Sequence, residues 1–332
     1  MTGGRPLVSI ITANHNGAAY LPAAARSVLG QTLTSFEWII ADDASTDDSL
    51  SVIRSACAGD ARVRVLPAEV NGGPAVARNR ALAAARGVWL AVFDSDDVMD
   101  ADRLQNLVAD AQANSADMVV DNLRVFTDPD PVGEPFLKGK AYATPRWITL
   151  AEYIASSRMY APRPGLGYLK PLVNAGALGS LRYREDLRIG EDYDLVLRLM
   201  ARGARLRLSP AAHYGYRKHG ASISAVLRAD HIAQMMAADA DFEAGLATCS
   251  EPVRRAQRRR RRSLENALAY DRIIRALKGR DLVAGLVGGI SQPSVWPLLT
   301  MPLTARLGRL WARVSKVGRR VGGRRPAENW SL

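Results

Sequence analysis

Two acidic pairs sit where carboxylates can do chemistry. Asp94-Ser95-Asp96 directly follows the apolar run Val88–Phe93, and Glu191-Asp192 opens a stretch of helical composition, Tyr193–Arg202. Two acids one residue apart at a strand end can face one ligand once the chain leaves the pleat. Hard divalent cations such as Mg²⁺ or Mn²⁺ take carboxylate oxygens and often share them with a diphosphate. An acid at the head of a helix can act as a general base. Each pair also has a plain structural explanation, because capping and the helix dipole favour acids at helix N-termini. The acids Asp42-Asp43 and the polar run Asn14-His15-Asn16 each close another apolar stretch.

These clusters require elements that bring them to one edge. Leu7–Thr12, Phe36–Ala41, Val63–Leu66, Val88–Phe93 and Met118–Phe126 have the β-branched, apolar composition of buried strands. Between them, Tyr20–Leu29, Ala75–Arg86 and Asp102–Ala113 have helical composition, and Ser45-Thr46-Asp47-Asp48 looks like a helix start with capping side chains. Repeated β-α-β units with short connections predict an α/β fold with a mostly parallel sheet flanked by helices on both faces. In such sheets ligands bind beyond the carboxyl ends of the strands, where all three of these polar clusters fall. Residues 128–165 are rich in Pro and Gly and read as a long loop over the site. Residues 229–280 read as helical throughout.

The 332 residues are 48% hydrophobic and 23% charged, which excludes wholesale disorder. Two cysteines, Cys57 and Cys249, exclude a disulfide framework or a Cys-rich metal site and point to a reducing compartment. The run Leu7–Ile11 is too short for a signal-peptide core, so the front of the chain is expected to be cytoplasmic. The net charge of +12 is unevenly placed. Residues 251–332 hold 19 Lys and Arg against 5 Asp and Glu, a balance of +14. The first 250 residues carry −2.

Taken in order, the motifs are far more specific than any one of them. Val8-Ser9-Ile10-Ile11 leads to Asn16, and Ile39-Ile40-Ala41-Asp42-Asp43-Ala44-Ser45-Thr46-Asp47 follows. Next come Asn71-Gly72-Gly73 with Ala77-Arg78-Asn79, then Phe93-Asp94-Ser95-Asp96-Asp97, and last Gly190-Glu191-Asp192-Tyr193-Asp194-Leu195. This succession, over about residues 7–224, resembles the family 2 inverting glycosyltransferases, which have the Rossmann-like GT-A fold. Tyr168-Leu169-Lys170-Pro171, Arg182–Leu187 and Tyr216-Arg217-Lys218-His219 are similar to the bacterial enzymes that extend lipid-linked exopolysaccharide units.

The resemblance implies a nucleotide-sugar donor, UDP-linked, and a saccharide acceptor that is lipid-linked. Asp43 matches the acid that contacts the base, Asp94 the first acid of the D-x-D motif near the ribose, and Asp96 the second, which holds Mn²⁺ or Mg²⁺ on the diphosphate. Arg78 and Asn79 match a helix bordering the nucleotide pocket. Asp192 matches the general base that deprotonates the acceptor hydroxyl for a single inverting displacement, with Glu191 able to exchange roles. Where the family usually shows Pro-x-Tyr-Asn, this chain has Ala13-Asn14-His15-Asn16, so Ala13 and His15 take donor-side positions and an imidazole replaces the phenol. Lys170 is positioned to meet a phosphate, and His219 lies in a loop that could close over the diphosphate. The implied layout is a catalytic domain over 1–225, with a nucleotide-binding half to about 117 and an acceptor half from 118. A helical extension follows over 226–280.

Residues 281–332 read as a membrane-associating tail. Leu282–Ala305 has no charged residue, but its glycines and prolines argue against a straight span of the ~20 apolar residues a bilayer needs. In the segment after it, Leu303, Leu307, Leu310, Trp311, Val314, Val317 and Val321 form an apolar helical stripe beside a basic one. That is the pattern of a helix lying on an anionic membrane, so the chain is expected to be peripheral on its cytoplasmic face. Two alternatives remain open: nucleotidyl transfer on the same fold, and nucleic-acid binding through the arginine cluster 254–262. The lack of aromatics interleaved with the basic residues disfavours nucleic acid as a partner.

Overall fold

In the computed structural model the first apolar runs form strands β1 (Val8–Asn14), β2 (Phe36–Asp42), β3 (Val63–Pro67) and β4 (Trp89–Val92). The structure describes residues 4–128, 130–161, 165–220, 227–246, 249–279, 281 and 291–299. The four strands pair in parallel in the order β3-β2-β1-β4, with Asn14 beside Asp42 at the carboxyl ends of β1 and β2. Helices α1 (Leu21–Leu29), α2 (Ser49–Ala56) and α3 (Pro74–Ala84) make the crossovers. Ile10, Ile11, Ile39 and Ile40 are fully buried, each contributing roughly 1.5–3 kcal/mol. Polar groups inside this layer are paired, as burial demands. The Trp38 indole donates to Thr12 Oγ1 (2.8 Å), and buried Glu37 accepts from Ser9 Oγ (2.7 Å) and Arg86 (2.9 Å). Small residues Ala75, Ala77 and Ala81 form the buried side of α3.

Beyond β4 the sheet departs from the mostly parallel expectation. Strand β5 (Val98–Met99), helix α4 (Arg103–Asn114), strands β6 (Met118–Thr127), β7 (Asp130–Pro135) and β8 (Arg146–Ile148) and helix α5 (Leu150–Ser156) come next. They are followed by β9 (Leu172–Asn174), α6 (Ala175–Leu178), α7 (Glu191–Ala201) and β10 (Leu206–Arg217). The full order is β3-β2-β1-β4-β9-β6-β10-β5, with β7 on β6 and β8 on β10. Strand β9 enters antiparallel to both β4 and β6, and β5, β7 and β8 also pair antiparallel. The sheet is therefore mixed. Strands β5, β8 and β9 are three residues or fewer, too short to show a period, so their antiparallel pairings were not readable from sequence.

Two further expectations are corrected. The segment 128–165 is not a plain loop, since β7, β8 and α5 lie within it; Thr149 caps α5 by accepting from the Glu152 amide. Residues 229–280 form two helices, α8 (Ala229–Gly245) and α9 (Glu251–Lys278). The helix after Asp42-Asp43 starts at Ser49, and Asp47 accepts from the Ser49 amide (2.9 Å) just ahead of it.

The chain divides into two units at Leu264/Glu265, inside α9. The first holds the sheet. In the second, Ala269 and Ile273 pack with Val295, and Ser294 Oγ donates to Asn266 (2.8 Å). Of Leu282–Ala305 only residues 291–299 are described, with a turn at Pro293–Val295 and a short helix, Trp296–Leu299. The amphipathic stripe from Leu303 to Val321 lies outside the described residues. Among the described residues no helix is long and apolar enough to cross a membrane.

Candidate active site

Three carboxylates from two distant segments meet two buried cations at the carboxyl edge of β1 and β4. Arg78, on α3, is fully desolvated apart from its contacts. It donates to Asp94 (2.7 Å) and Glu191 (2.5 Å) and lies 3.7 Å from Asp192 Oδ1. Lys170 Nζ bridges Asp94 (2.6 Å) and Asp192 (2.8 Å). Asp94 follows β4, and Glu191 and Asp192 form the first turn of α7, which Gly190 starts at φ +91°, a conformation that costs glycine little. Lys170 is set by close packing of its own segment: a Cβ on Gly167 would lie 3.0 Å from the Tyr193 Cβ.

The electrostatics follow from this packing. Burial alone would lower the Arg78 guanidinium, but Asp192, Asp94 and Glu191 hold it well above its ordinary value. Lys170 is likewise raised, since Asp192 and Asp94 outweigh its burial. Burial pushes the Asp94 carboxyl up, yet Lys170 and Arg78 hold it well below the usual carboxylate range. Glu191 moves the other way: burial raises it, and Asp192 adds to the rise against Arg78. Asp192 Oδ1 is a buried oxygen that accepts no hydrogen bond.

Asp94, Asp96 and Asp97 present oxygens within 4.8 Å of one another. Asp97 is fully buried and accepts from the Tyr214 hydroxyl (2.7 Å) and the Arg217 amide (2.8 Å). Burial, together with Asp96 and Asp94, pushes its carboxyl well up. Asp94 already spends its oxygens on Arg78 and Lys170. Asp96 is therefore the more open carboxylate of the three. Its Oδ2 lies 2.8 Å from His219 Nε2, while the buried His219 Nδ1 has no partner. A carboxylate beside an imidazole is a donor set that suits Mn²⁺ and accommodates Mg²⁺, with other positions left for phosphate oxygens and water. The residues present thus fit a divalent cation. The His219 ring is held 4.5 Å from that of Tyr20.

Around the nucleotide-side edge, Asp43 accepts from the Gly72 and Gly73 amides (2.8 and 2.7 Å), one on each oxygen. His15 is exposed, and its Nδ1 lies 2.9 Å from the Asp43 carbonyl oxygen, which can only accept. The proton is therefore on Nδ1, and Nε2 accepts from Asn16 (3.3 Å). Ala13 is half-buried in β1, opposite Ala41. Asn79 is not joined to the acid cluster: its amide clasps the Tyr183 backbone in both directions (2.9 and 3.0 Å) and reaches Glu185 (2.9 Å).

Sequence reasoning missed the residues that brace this cluster. Arg103 and Asp121 form a pair 0% and 1% exposed, and Arg103 also donates to the Lys170 carbonyl (2.7 Å) and lies over the Tyr214 ring. Arg217 donates to the Asp96 carbonyl (2.7 Å). An arginine within an otherwise apolar helix stripe was the one available signal for Arg103; Tyr214 had none.

The Glycosyl transferase family 2 model matches residues 9–158. Succinoglycan biosynthesis protein ExoO of Rhizobium meliloti (strain 1021) is 36% identical over 310 residues, 93% of this chain and 88% of that protein. ExoU of the same organism, also a succinoglycan biosynthesis protein, is 36% identical over 251 residues, 74% and 72% of the two chains. Among solved structures, the mannosyltransferase PcManGT from Pyrobaculum calidifontis, in complex with GDP-Man and Mn²⁺, has TM-score 0.60 at 16% identity. It covers 93% of this chain and 84% of that one. S. aureus TarS 1-349 in complex with UDP-GlcNAc has TM-score 0.59 at 20% identity, covering 80% and 71%.

Proposed function

The chain belongs to glycosyl transferase family 2, and from that premise we propose that it moves a sugar, with inversion, from a UDP-linked donor to a hydroxyl of a lipid-linked saccharide during exopolysaccharide assembly. The observation that carries this reading is Lys170, whose single ammonium ties Asp192 to Asp94 although 98 residues separate them in sequence. A base and a donor-side acid must flank one sugar, and this pairing supports those roles for Asp192 and Asp94. The relationship to the two succinoglycan proteins supports the pathway.

The roles follow from the chemistry. Asp192 takes the acceptor proton through Oδ1, which accepts no hydrogen bond within the chain, so the hydroxyl oxygen attacks the anomeric carbon as the bond to the diphosphate breaks on the opposite side. Arg78 and Lys170 orient Asp192, and Glu191 anchors Arg78. Asp96 and His219 would hold Mn²⁺ or Mg²⁺, which when bound stabilises the charge of the departing diphosphate. Asp43 shapes the Asn71-Gly72-Gly73 turn against the base, with the His15 ring beside it. Ala13 lines the same edge, and Asn79 fixes the 183–185 segment. The acidic part of the chain thus handles the donor, and residues 281–332 attach it to an anionic membrane where the acceptor resides.

The test is a panel of nucleotide-sugars with Mn²⁺ or Mg²⁺ against lipid extract from the source organism. Free nucleoside diphosphate and a glycolipid of inverted anomeric configuration are expected. Release of pyrophosphate would instead mark nucleotidyl transfer, and retention of configuration would remove Asp192 from its role.

A further inference from the structure

Helix α9 carries seven arginines between Arg254 and Arg262, and the fold buries one of them. Arg260 donates to buried Asp239 (2.8 Å) and to the Ser157 carbonyl, and its guanidinium lies 3.9 Å from the centre of the Tyr193 ring. Val253, Ala256, Gln257 and Leu264 complete that inner face. The other six arginines are exposed. Arg254 and Arg258 share Glu251, and Arg261 pairs with Glu243. Among the described residues Arg255, Arg259 and Arg262 have no carboxylate partner.

Arg255, Arg258, Arg259 and Arg262 recur at i, i+3, i+4 and i+7 and line a groove of about 450 Å³. Like charges at this spacing repel and destabilise the helix that carries them. A face kept merely soluble would intersperse acids among its cations, yet none stands between Arg254 and Arg262. The repulsion is relieved when the face meets a surface of fixed negative charge.

We propose that this arginine face is a docking surface for an anionic phospholipid bilayer. A bilayer asks only for positive charge on an accessible face, and each basic residue near it strengthens partitioning about fivefold. A single-stranded nucleic acid would call for aromatic rings between the arginines to stack bases, and residues 253–264 hold none. The placement also has a use. The same turn of α9 that faces outward through Arg258, Arg259 and Arg262 faces inward through Arg260 onto Tyr193, the neighbour of Asp192. Docking through this face would bring the headgroups within about one helix diameter, ~10 Å, of α7. The purpose of such docking rests on the lipid-linked acceptor of the proposed function; the docking itself does not.

The experiment is flotation of the full chain with vesicles of phosphatidylglycerol and phosphatidylcholine, against phosphatidylcholine alone. The full chain should float only with the anionic vesicles. R255Q/R258Q/R259Q/R262Q should lose at least about tenfold in partitioning. The same four positions changed to Lys should retain flotation, which separates charge from folding. Neutralising Arg26, Arg54, Lys140 and Arg202, exposed elsewhere, should leave flotation within about twofold of the parent if that patch is not engaged. Equal loss in this control, or undiminished flotation of the glutamine variant, would overturn the proposal. So would a glutamine variant that loses retention on duplex DNA but not on vesicles. Calorimetric binding of a UDP-sugar, expected to be unchanged in the glutamine variant, tests the donor reading separately. Its absence in the parent would sink that reading and leave the flotation result standing.

Discussion

Replacing Arg78 with Met removes the cation on which three carboxylates converge while keeping much of its volume. Arg78 is 5% exposed and contacts Asp94 and Glu191 directly, so solvent offers little screening. Removing one partner of a buried ion pair costs about 3–5 kcal/mol, and in this variant Lys170 alone would face Asp94, Glu191 and Asp192. The cost should depend on pH, because one acid can escape it by taking a proton. Glu191 is that acid: burial already raises its carboxyl, with Arg78 opposing. Without Arg78 it rises further. A carboxyl raised above its unfolded value loses stability as pH climbs from that value, about 4.3, through the folded one. The R78M deficit should therefore be small near about pH 4.5 and reach its full size by about pH 8. Urea unfolding followed by tryptophan fluorescence, parent and variant at both pH values, reads it. With m about 3 kcal/mol/M the midpoint should fall by about 1 M or more at the higher pH. A deficit below about 1 kcal/mol, or one that does not grow with pH, would refute the picture of converging buried charge.

D192N should lower transfer by about 10²–10⁴-fold with donor binding nearly intact, measured by turnover and calorimetry side by side. D96A should abolish metal-dependent transfer, and H219Q should raise the Mn²⁺ concentration needed by at least about tenfold, read from metal titrations. D43N places an amide donor against the Gly72 or Gly73 N–H and should cost about 1–3 kcal/mol in urea while weakening UDP binding. R260A leaves Asp239 buried without its partner and should destabilise the chain by about 3–5 kcal/mol, with turnover falling through Tyr193.

The first four strands and the acid clusters were legible because their signals are local. A β-branched run closed by a polar cluster announces both a buried strand and the edge where it ends, and β1, β2 and β4 followed that rule within a residue or two. Strand β9 was not legible. Three residues, Leu172–Asn174, carry no period, yet their antiparallel insertion between β4 and β6 makes the sheet mixed. Asp97 looked like one more acid of a cluster until burial and the Tyr214 hydroxyl set it apart from Asp96. The arginine run of α9 looked uniform, and only packing against Asp239 and Tyr193 distinguishes Arg260 from its neighbours.

The sequence by itself determined which residue types stand at strand ends and helix starts, and so which chemistry the chain can attempt. Tertiary structure alone decided which of those groups meet. Arg78, Asp94, Lys170 and Asp192 are spread over more than 100 residues, and no local preference links them. Their contact follows from the order of strands in one sheet, from α7 packing against the segment that bears Lys170, and from the low dielectric that makes two cations among three acids the arrangement these buried charges can tolerate.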